Sequence, residues 1–300
     1  MWTTIECAGH PRDMGLAQGA GARSAIHAEL SNAGLSRKRS RIPTLRALTQ
    51  GRLRGRGAGR EFFRHFAHQA ERLEGLAFAA DVPVDSLLEL HLRVRAGGAA
   101  GGLLSRRTSL RARTVGGRGE GKSALLERSL PCRLPGESGW IVRESRPEVG
   151  FRSVEIGLPW LVSAVAGVNE AGLAVVAGPL LWGRQGYEGA SPSFLLAQDC
   201  LQRFGDLEGA LDWCRKRPVE GEQSFVLADA SGAVATVISN GRERRVQSGD
   251  GELHLEGGDL PDPDRIPALP EGSARDRVLL DPKARRLQLD AAAMAIEIGL

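Results

Sequence analysis

Apolar positions in the first third of the chain recur at helical spacing, and in the middle they gather into short strand-like runs. After the turn Gly9-His10-Pro11, residues Met14 to Leu30 are helix-permissive. Phe62, Phe66, Leu73 and Leu76 keep a 3.6-residue period through 61–79. Asp81-Val82-Pro83 reads as a turn, and Asp85 as the cap of a helix running to about Leu92. From 123 onward the pattern predicts strands at Ser123–Leu126, Gly139–Glu144, Val154–Leu158, Leu161–Val168 and Leu173–Ala177. Ser191-Pro192 opens a helix, with Ser191 as N-cap and an apolar face of Leu195, Leu196, Cys200 and Leu201. Gly205-Asp206 ends it, and Leu207–Arg217 forms a second helix whose last turn is basic. Phe225–Ala228 and Ala233–Ile238 flank Asp229-Ala230-Ser231-Gly232, a hairpin signal. Residues 248–272 read as loop, followed by a helix over Ala274–Leu280 and another near 290–298. Helices, then strands, then a helix pair and more strands predict an α+β fold with antiparallel sheet rather than alternating βαβ units.

Composition narrows the class. The chain has 300 residues, 42% hydrophobic and 25% charged, which excludes a collagen, a coiled coil and a wholly disordered chain. No stretch approaches eighteen consecutive apolar residues, so no membrane span is expected. The start MWTTIECAGHPRD lacks a basic-then-apolar leader, and cytoplasmic residence is the expectation. The length suits a single domain over 1–300. The formal net charge of +4 is carried almost wholly by arginine, the lysines being Lys38, Lys122, Lys216 and Lys283. A basic Gly/Arg-rich run at 37–60 has no acidic residue. It also has no aromatic residue for base stacking, so a solvated loop is preferred over a nucleic-acid surface. A second Gly-rich segment spans about 96–121 and brackets the polar run SRRTSLRART.

Isolated chemical candidates each have a plainer reading. Cys7, Cys132, Cys200 and Cys214 form no CxxC pair, so neither zinc nor a redox motif is expected. Cys200 and Cys214 read as small core residues, and Cys132, preceded by Pro131, matches no nucleophile strand. His65 and His68 lie three apart on a helix, but with no third ligand nearby they read as surface histidines. GGRGEGK at 116–122 has a phosphate-loop look without the strand before and helix after that such a loop needs. No metal or cofactor is expected.

Several segments in order resemble one family. GHPRDMGLAQGAGARSAI, LEGLAFAADVPVDSLLELH, GVNEAGLAVVAG (167–178), SPSFLLAQDCLQRFGDLEGALDWCRKRP, SFVLADASGAVATVIS and GSARDRVLL, the last resembling a late Ser-x-x-Arg helix, are similar to successive segments of the acyl-coenzyme A:6-aminopenicillanic-acid acyltransferase family. That family is a branch of the N-terminal-nucleophile hydrolases. The resemblance implies a four-layer αββα sandwich and hydrolysis or acyl transfer at an amide C–N bond. A chain break frees the α-amino group of a Cys, the amine serves as base for its own thiol, and Asn side chains with backbone N–H groups hold the oxyanion. The chain stops earlier than the family pattern, which implies that a terminal strand pair is missing.

The resemblance fails at the chemistry. Where the family has Cys-Thr-Ser, this sequence reads Arg107-Thr108-Ser109, so Arg107 holds the nucleophile position. A guanidinium stays protonated and cannot attack a carbonyl. The family's Arg-Asn-x-Asp is reduced to Arg128 followed by Ser129-Leu130-Pro131, and its two Asn positions are Gly178 and Ser224. Thr108, freed by cleavage after Arg107, would be a working N-terminal nucleophile, although a Thr in a strand needs no such role. Ser109 and Ser105 are weaker candidates. Arg128 can bind a substrate carboxylate or be a solvated arginine; Asn169 stands in a good turn sequence. The expectation is a family relative, weakly active or inactive, that takes a small acyl or amide compound. A non-catalytic binding or scaffold protein on the same fold is the alternative, and a nucleic-acid-associated protein a distant third.

Overall fold

The computed structural model describes residues 3–36, 62–95, 109–115, 122–130, 139–178, 194–217, 223–239, 243–249, 252–256, 276–291 and 294–300. Most of the two Gly/Arg-rich segments therefore lies outside the described residues, as do Ser191 and Pro192. The described helices are α1 (Pro11–Gly21), α2 (Arg23–Asn32), α3 (Ala67–Ala80), α4 (Val84–Arg95), α5 (Leu195–Arg203) and α6 (Leu207–Lys216). The strands are β1 (Thr3–Gly9), β2 (Ser109–Val115), β3 (Ser123–Leu130), β4 (Ile141–Pro147), β5 (Ser153–Gly157), β6 (Ala166–Asn169) and β7 (Ala174–Ala177). They continue with β8 (Gln223–Ala228), β9 (Val234–Ser239), β10 (Arg244–Gly249), β11 (Glu252–Glu256), β12 (Asp276–Asp281), β13 (Arg286–Ala291) and β14 (Met294–Gly299).

Eight strands form one sheet in the order β1-β4-β5-β6-β7-β8-β9-β10, and six form another in the order β11-β2-β3-β12-β13-β14. Every pairing is antiparallel except β1 with β4. The sheets meet face to face, β2 and β3 against β7, β8 and β9, and β12 against β6. The helices lie on the eight-stranded sheet: α1 over β1 and β4, α5 over β6 and β7, α6 over β9 and β10. The protein is an α+β sandwich of two stacked sheets. Among the described residues no helix covers the outer face of the six-stranded sheet, so the described layers run helix, sheet, sheet.

Local chemistry explains the elements. α1 and α3 cross at two glycines: a Cβ on Gly15 would collide with the Arg72 carbonyl, and one on Gly75 with the Arg12 carbonyl. Only hydrogen fits at this crossing, which holds the helices backbone to backbone. The predicted Met14–Leu30 helix is divided at Ala22, where ψ opens to 13°. The 61–79 helix is likewise interrupted at Phe66, although Phe62, Phe66, Leu73 and Leu76 are all buried as their period predicts. α4 starts one residue before Asp85, which then serves the first turn through the helix dipole. In α6, Asp206 Oδ1 accepts the Gly209 N–H at 2.8 Å, a true N-cap.

The C-terminal expectation is corrected. Residues 276–281 and 294–299 are strands β12 and β14, not helices, and β12–β13–β14 complete the second sheet. Val278, Leu280, Leu287 and Leu289 are buried at a period of two, the strand signature. A terminal strand pair, expected to be missing, is thus supplied within 286–299.

Between the eight-stranded sheet and its helices lies a buried polar layer. Arg143 on β4 and Glu155 on β5 are cross-strand partners, fully buried, with Nη2 and Oε2 2.7 Å apart. Arg143 Nη1 donates to Gln18 Oε1, Leu161 O and Val162 O at 3.0, 2.8 and 3.1 Å. Glu155 Oε1 accepts from Ser153 Oγ and Gln198 Nε2 at 2.7 and 2.9 Å. Burial alone would raise the Glu155 pKa, but Arg143 and Arg72 outweigh it and hold the carboxyl below its usual range. Replacing Glu155 with Gln leaves Arg143 charged and unpaired in the interior. Glu155→Gln is expected to cost about 3–5 kcal/mol, read as a lower urea midpoint at unchanged m-value.

His91 on α4 is buried in the neutral form. Its Nδ1 faces Leu87 O at 2.7 Å, and its Nε2 accepts the Val162 N–H at 3.3 Å. Desolvation lowers its pKa from 6.5 to about 4 despite the Leu87 carbonyl. The unfolded chain therefore binds the proton first. Stability from this residue is complete above pH 6.5 and is lost as the pH falls toward 4, by about 3 kcal/mol. Chemical denaturation across pH 7 to 4 should show that loss, and His91→Gln should flatten the curve over the same window.

Candidate functional site

Along β3, Ala124, Leu126 and Arg128 alternate inward and are buried between the sheets, beside Leu110 and Ala112 of β2 and Val278 and Leu280 of β12. Arg128 thus occupies a position that the pattern assigns to an apolar side chain. It is completely buried, and Leu110 is its partner across the β2–β3 ladder. Nη1 donates to the carbonyl of Ala177, the last residue of β7. Nε and Nη2 have no hydrogen-bond partner among the described residues. Burial pushes the guanidinium pKa down to about 9, so the group remains a cation at neutral pH.

Gly178 follows directly on Ala177. Its N–H donates to Ser224 O at 2.6 Å, which continues the β7–β8 ladder by one residue. A Cβ at 178 would collide with Ser224 Oγ and come within 2.9 Å of Leu110 Cδ1. Arg128, Gly178 and Ser224 therefore converge at one end of the sandwich, where the described parts of β2 and β8 begin and those of β3 and β7 end. Three of the positions singled out from sequence are neighbours in space. Ser109 is the first residue of β2 at this end, opposite Glu256 of β11. Arg107, Thr108, Ser105 and Cys132 lie outside the described residues.

Asn169 does not join them. It ends β6, away from the Ala177 end of the hairpin, and all of its amide is committed there. Oδ1 accepts from the N–H groups of Ala171 and Leu173, at 3.1 and 2.9 Å, and Nδ2 donates to Leu201 O and Phe204 O. Its work is to shape the turn and to fasten the end of α5. The histidine pair also separates. His65 lies in a helical turn at 62–65 that precedes α3, while His68 Nε2 meets the buried Asp199 Oδ1 at 2.8 Å. No group of three or more His, Cys, Asp or Glu among the described residues is arranged to hold a metal. Cys200 and Cys214 are buried with their sulfurs 3.5 Å apart on α5 and α6. Ser123 opens strand β3 where a phosphate loop would need a helix. None of the described helices is long and apolar enough to cross a membrane.

The site can hold charge. A fixed guanidinium with two unused nitrogens, set in an apolar layer, is suited to a carboxylate or another oxyanion; it can be neither base nor nucleophile. Sequence reasoning missed the polar layer on the other face of the sheet: Arg143, Glu155, Gln18 and Gln198. The available signal was a charge at the centre of IVRES and of SVEIG, directly after the apolar pair Ile141-Val142 and between Val154 and Ile156.

No family model matches the chain, and no curated protein matches it. Among solved structures, it is similar to penicillin V acylase from Agrobacterium tumefaciens, at 17% identity over 66% of this chain and 79% of that one, with a TM-score of 0.40. It is also similar to a mutant of conjugated bile acid hydrolase from Clostridium perfringens, at 9% identity over 64% and 92%, with a TM-score of 0.42. A third is the Caenorhabditis elegans N-acylethanolamine-hydrolyzing acid amidase ortholog, at 11% identity over 59% and 93%, with a TM-score of 0.36. Likeness at this level transfers neither residue roles nor activity. The class that the fold defines is the α+β two-sheet sandwich.

A buried arginine with one hydrogen-bond partner carries a stability cost. Arg128→Met, close in volume and apolar, is expected to raise the unfolding free energy by about 1–4 kcal/mol, read from the urea midpoint. A fall instead would mean that the Ala177 contact outweighs the buried charge.

Proposed function

We propose that this chain is a relative of the N-terminal-nucleophile amide hydrolases and acyltransferases in which the usual thiol centre has been replaced. In this reading the end of the sandwich around Arg128 binds the carboxylate of a small acyl or amide compound, with little or no turnover. The observation that carries the reading is Arg128 itself: a buried cation with spare donors, beside Gly178 and Ser224. The order of matching sequence segments supports the scaffold, and Arg107 at the nucleophile position supports the loss of chemistry. Gly178 brings no side-chain donor where an amide would hold an oxyanion, and losing one such donor costs about 3–4 kcal/mol of transition-state stabilisation.

The competing reading is an enzyme activated by cleavage between Arg107 and Thr108. Mass analysis of the purified, denatured chain separates the two. One species at 32.0 kDa is expected. Two fragments divided at that bond would instead establish the free Thr108 amine. In parallel, N-octanoylglycine, an amide with a free carboxylate, is expected to raise the melting temperature without being hydrolysed, and Arg128→Met is expected to abolish that shift.

A further inference from the structure

On the helical side of the eight-stranded sheet, away from Arg128, lies a cavity of about 790 Å³. Its walls come from the start of α1, the 147–150 turn, α3, and the α5–α6 pair. That volume fits a small organic molecule. Its lining has an apolar and aromatic part, Met14, Phe204 and Trp213, and an adjoining polar part that carries His68 and Arg203.

The polar wall is built rather than incidental. Asp199 on α5 is fully buried beneath it. It accepts the Trp213 Nε1–H at 3.1 Å and lies 2.8 Å from His68 Nε2 and 3.5 Å from Arg203 Nε, with Gln69 Nε2 and Arg217 Nη2 at 3.5 and 4.0 Å. Burial opposes ionisation of Asp199, but the His68 hydrogen bond and charge, helped by Arg203 and Trp213, hold its carboxyl below the usual range. One carboxylate thus fixes an imidazole, an indole and a guanidinium from three helices. Arg203 also stacks over Trp213, 5.4 Å from the ring centroid. Behind the wall Arg72 is almost wholly buried, and none of its three guanidinium nitrogens has a hydrogen-bond partner among the described residues. Arg72 also lines the cavity, and its charge acts on both Arg143 and Glu155. Two carboxylates also line the cavity, Glu71 and Glu148, and Glu71 is 3.5 Å from His10. They disfavour a dianion more than a monoanion.

We propose that this cavity is a second binding site, specific for a monoanionic carboxylate with an aromatic or apolar body. The body lies on Trp213, Phe204 and Met14, and the carboxylate meets Arg203 and His68. The site is independent of Arg128 and of the reading given for the inter-sheet end.

Isothermal titration calorimetry with 4-phenylbutanoate tests it. Binding is expected at one site that 4-phenyl-1-butanol, the uncharged analogue, occupies roughly tenfold or more weakly, and phenyl phosphate more weakly than the carboxylate. Arg203 is half exposed, so Arg203→Gln should fold, with an unchanged circular dichroism spectrum, and should weaken 4-phenylbutanoate roughly tenfold. Glu71→Gln should tighten it, and Arg128→Met should leave it unchanged. Equal affinity for alcohol and carboxylate, tighter binding of phenyl phosphate, or no effect of Arg203→Gln would each overturn the proposal. Loss of binding in Arg128→Met alone would assign the ligand to the other site.

Discussion

The pairing of Arg143 with Glu155 sets the terms for everything built on the eight-stranded sheet. Both side chains are fully buried and lie on the face that receives the helices. Arg143 Nη1 donates to Gln18 of α1, and Glu155 Oε1 accepts from Gln198 of α5. Those two glutamines also bind backbone: Gln18 Nε2 donates to Pro159 O and Leu161 O, and Gln198 Oε1 accepts from Ala164 N–H. One ion pair therefore fixes two helices and the 158–165 connection at once. Apolar packing alone would leave the helices free to slide, because it is not directional; buried hydrogen bonds of fixed length do not allow that.

Two buried arginines on opposite faces of that sheet show how context decides what a charge does. Arg143 has a carboxylate, an amide and two carbonyls around it, and removing its partner is what hurts. Arg128 has one carbonyl, and the guanidinium is held at a pKa of about 9 because burial has no opposing charge to offset it. The first arrangement specifies structure. The second opposes stability, because the cost of burying the charge is not offset by an opposite one.

How far the sequence can be read follows the same physics. Where one face of an element is wet, its period shows, as in α3 and α6; α5 and the β8–β9 hairpin, buried almost throughout, are legible from their apolar runs and turn residues instead. The hairpin turn even keeps its predicted Asp229, whose Oδ1 accepts the Ser231 N–H at 2.9 Å while Oδ2 accepts the Leu207 N–H that begins α6. The second of those bonds is not legible, since it joins residues 22 apart through tertiary packing. β12 and β14 read as helix because short segments with Ala, Leu and Arg have good helix propensity, which sheet pairing overrides. Arg143 and Glu155 escape notice because a charge in a strand ordinarily marks the solvent face, and here both side chains lie on the face covered by helices.

The inter-sheet end shows why a local reading of a lost residue is incomplete. In the sequence reading, Gly178 stands where the resembled family carries an Asn. The structure adds that the space has closed: Ser224 Oγ and Leu110 Cδ1 occupy the volume into which a Cβ would project. The Gly178 N–H is also spent on Ser224 O. A donor at 178 therefore requires the β7 and β8 backbones to part, or Ser224 and Leu110 to shrink. The change at one position is coupled to two others, and reverting it alone would disrupt packing before it restored chemistry. Arg128 fits the same closed arrangement, since its Nη1 caps the Ala177 carbonyl one residue before the glycine. The residues at 128, 178 and 224 thus form one packed unit around the inner end of the sandwich.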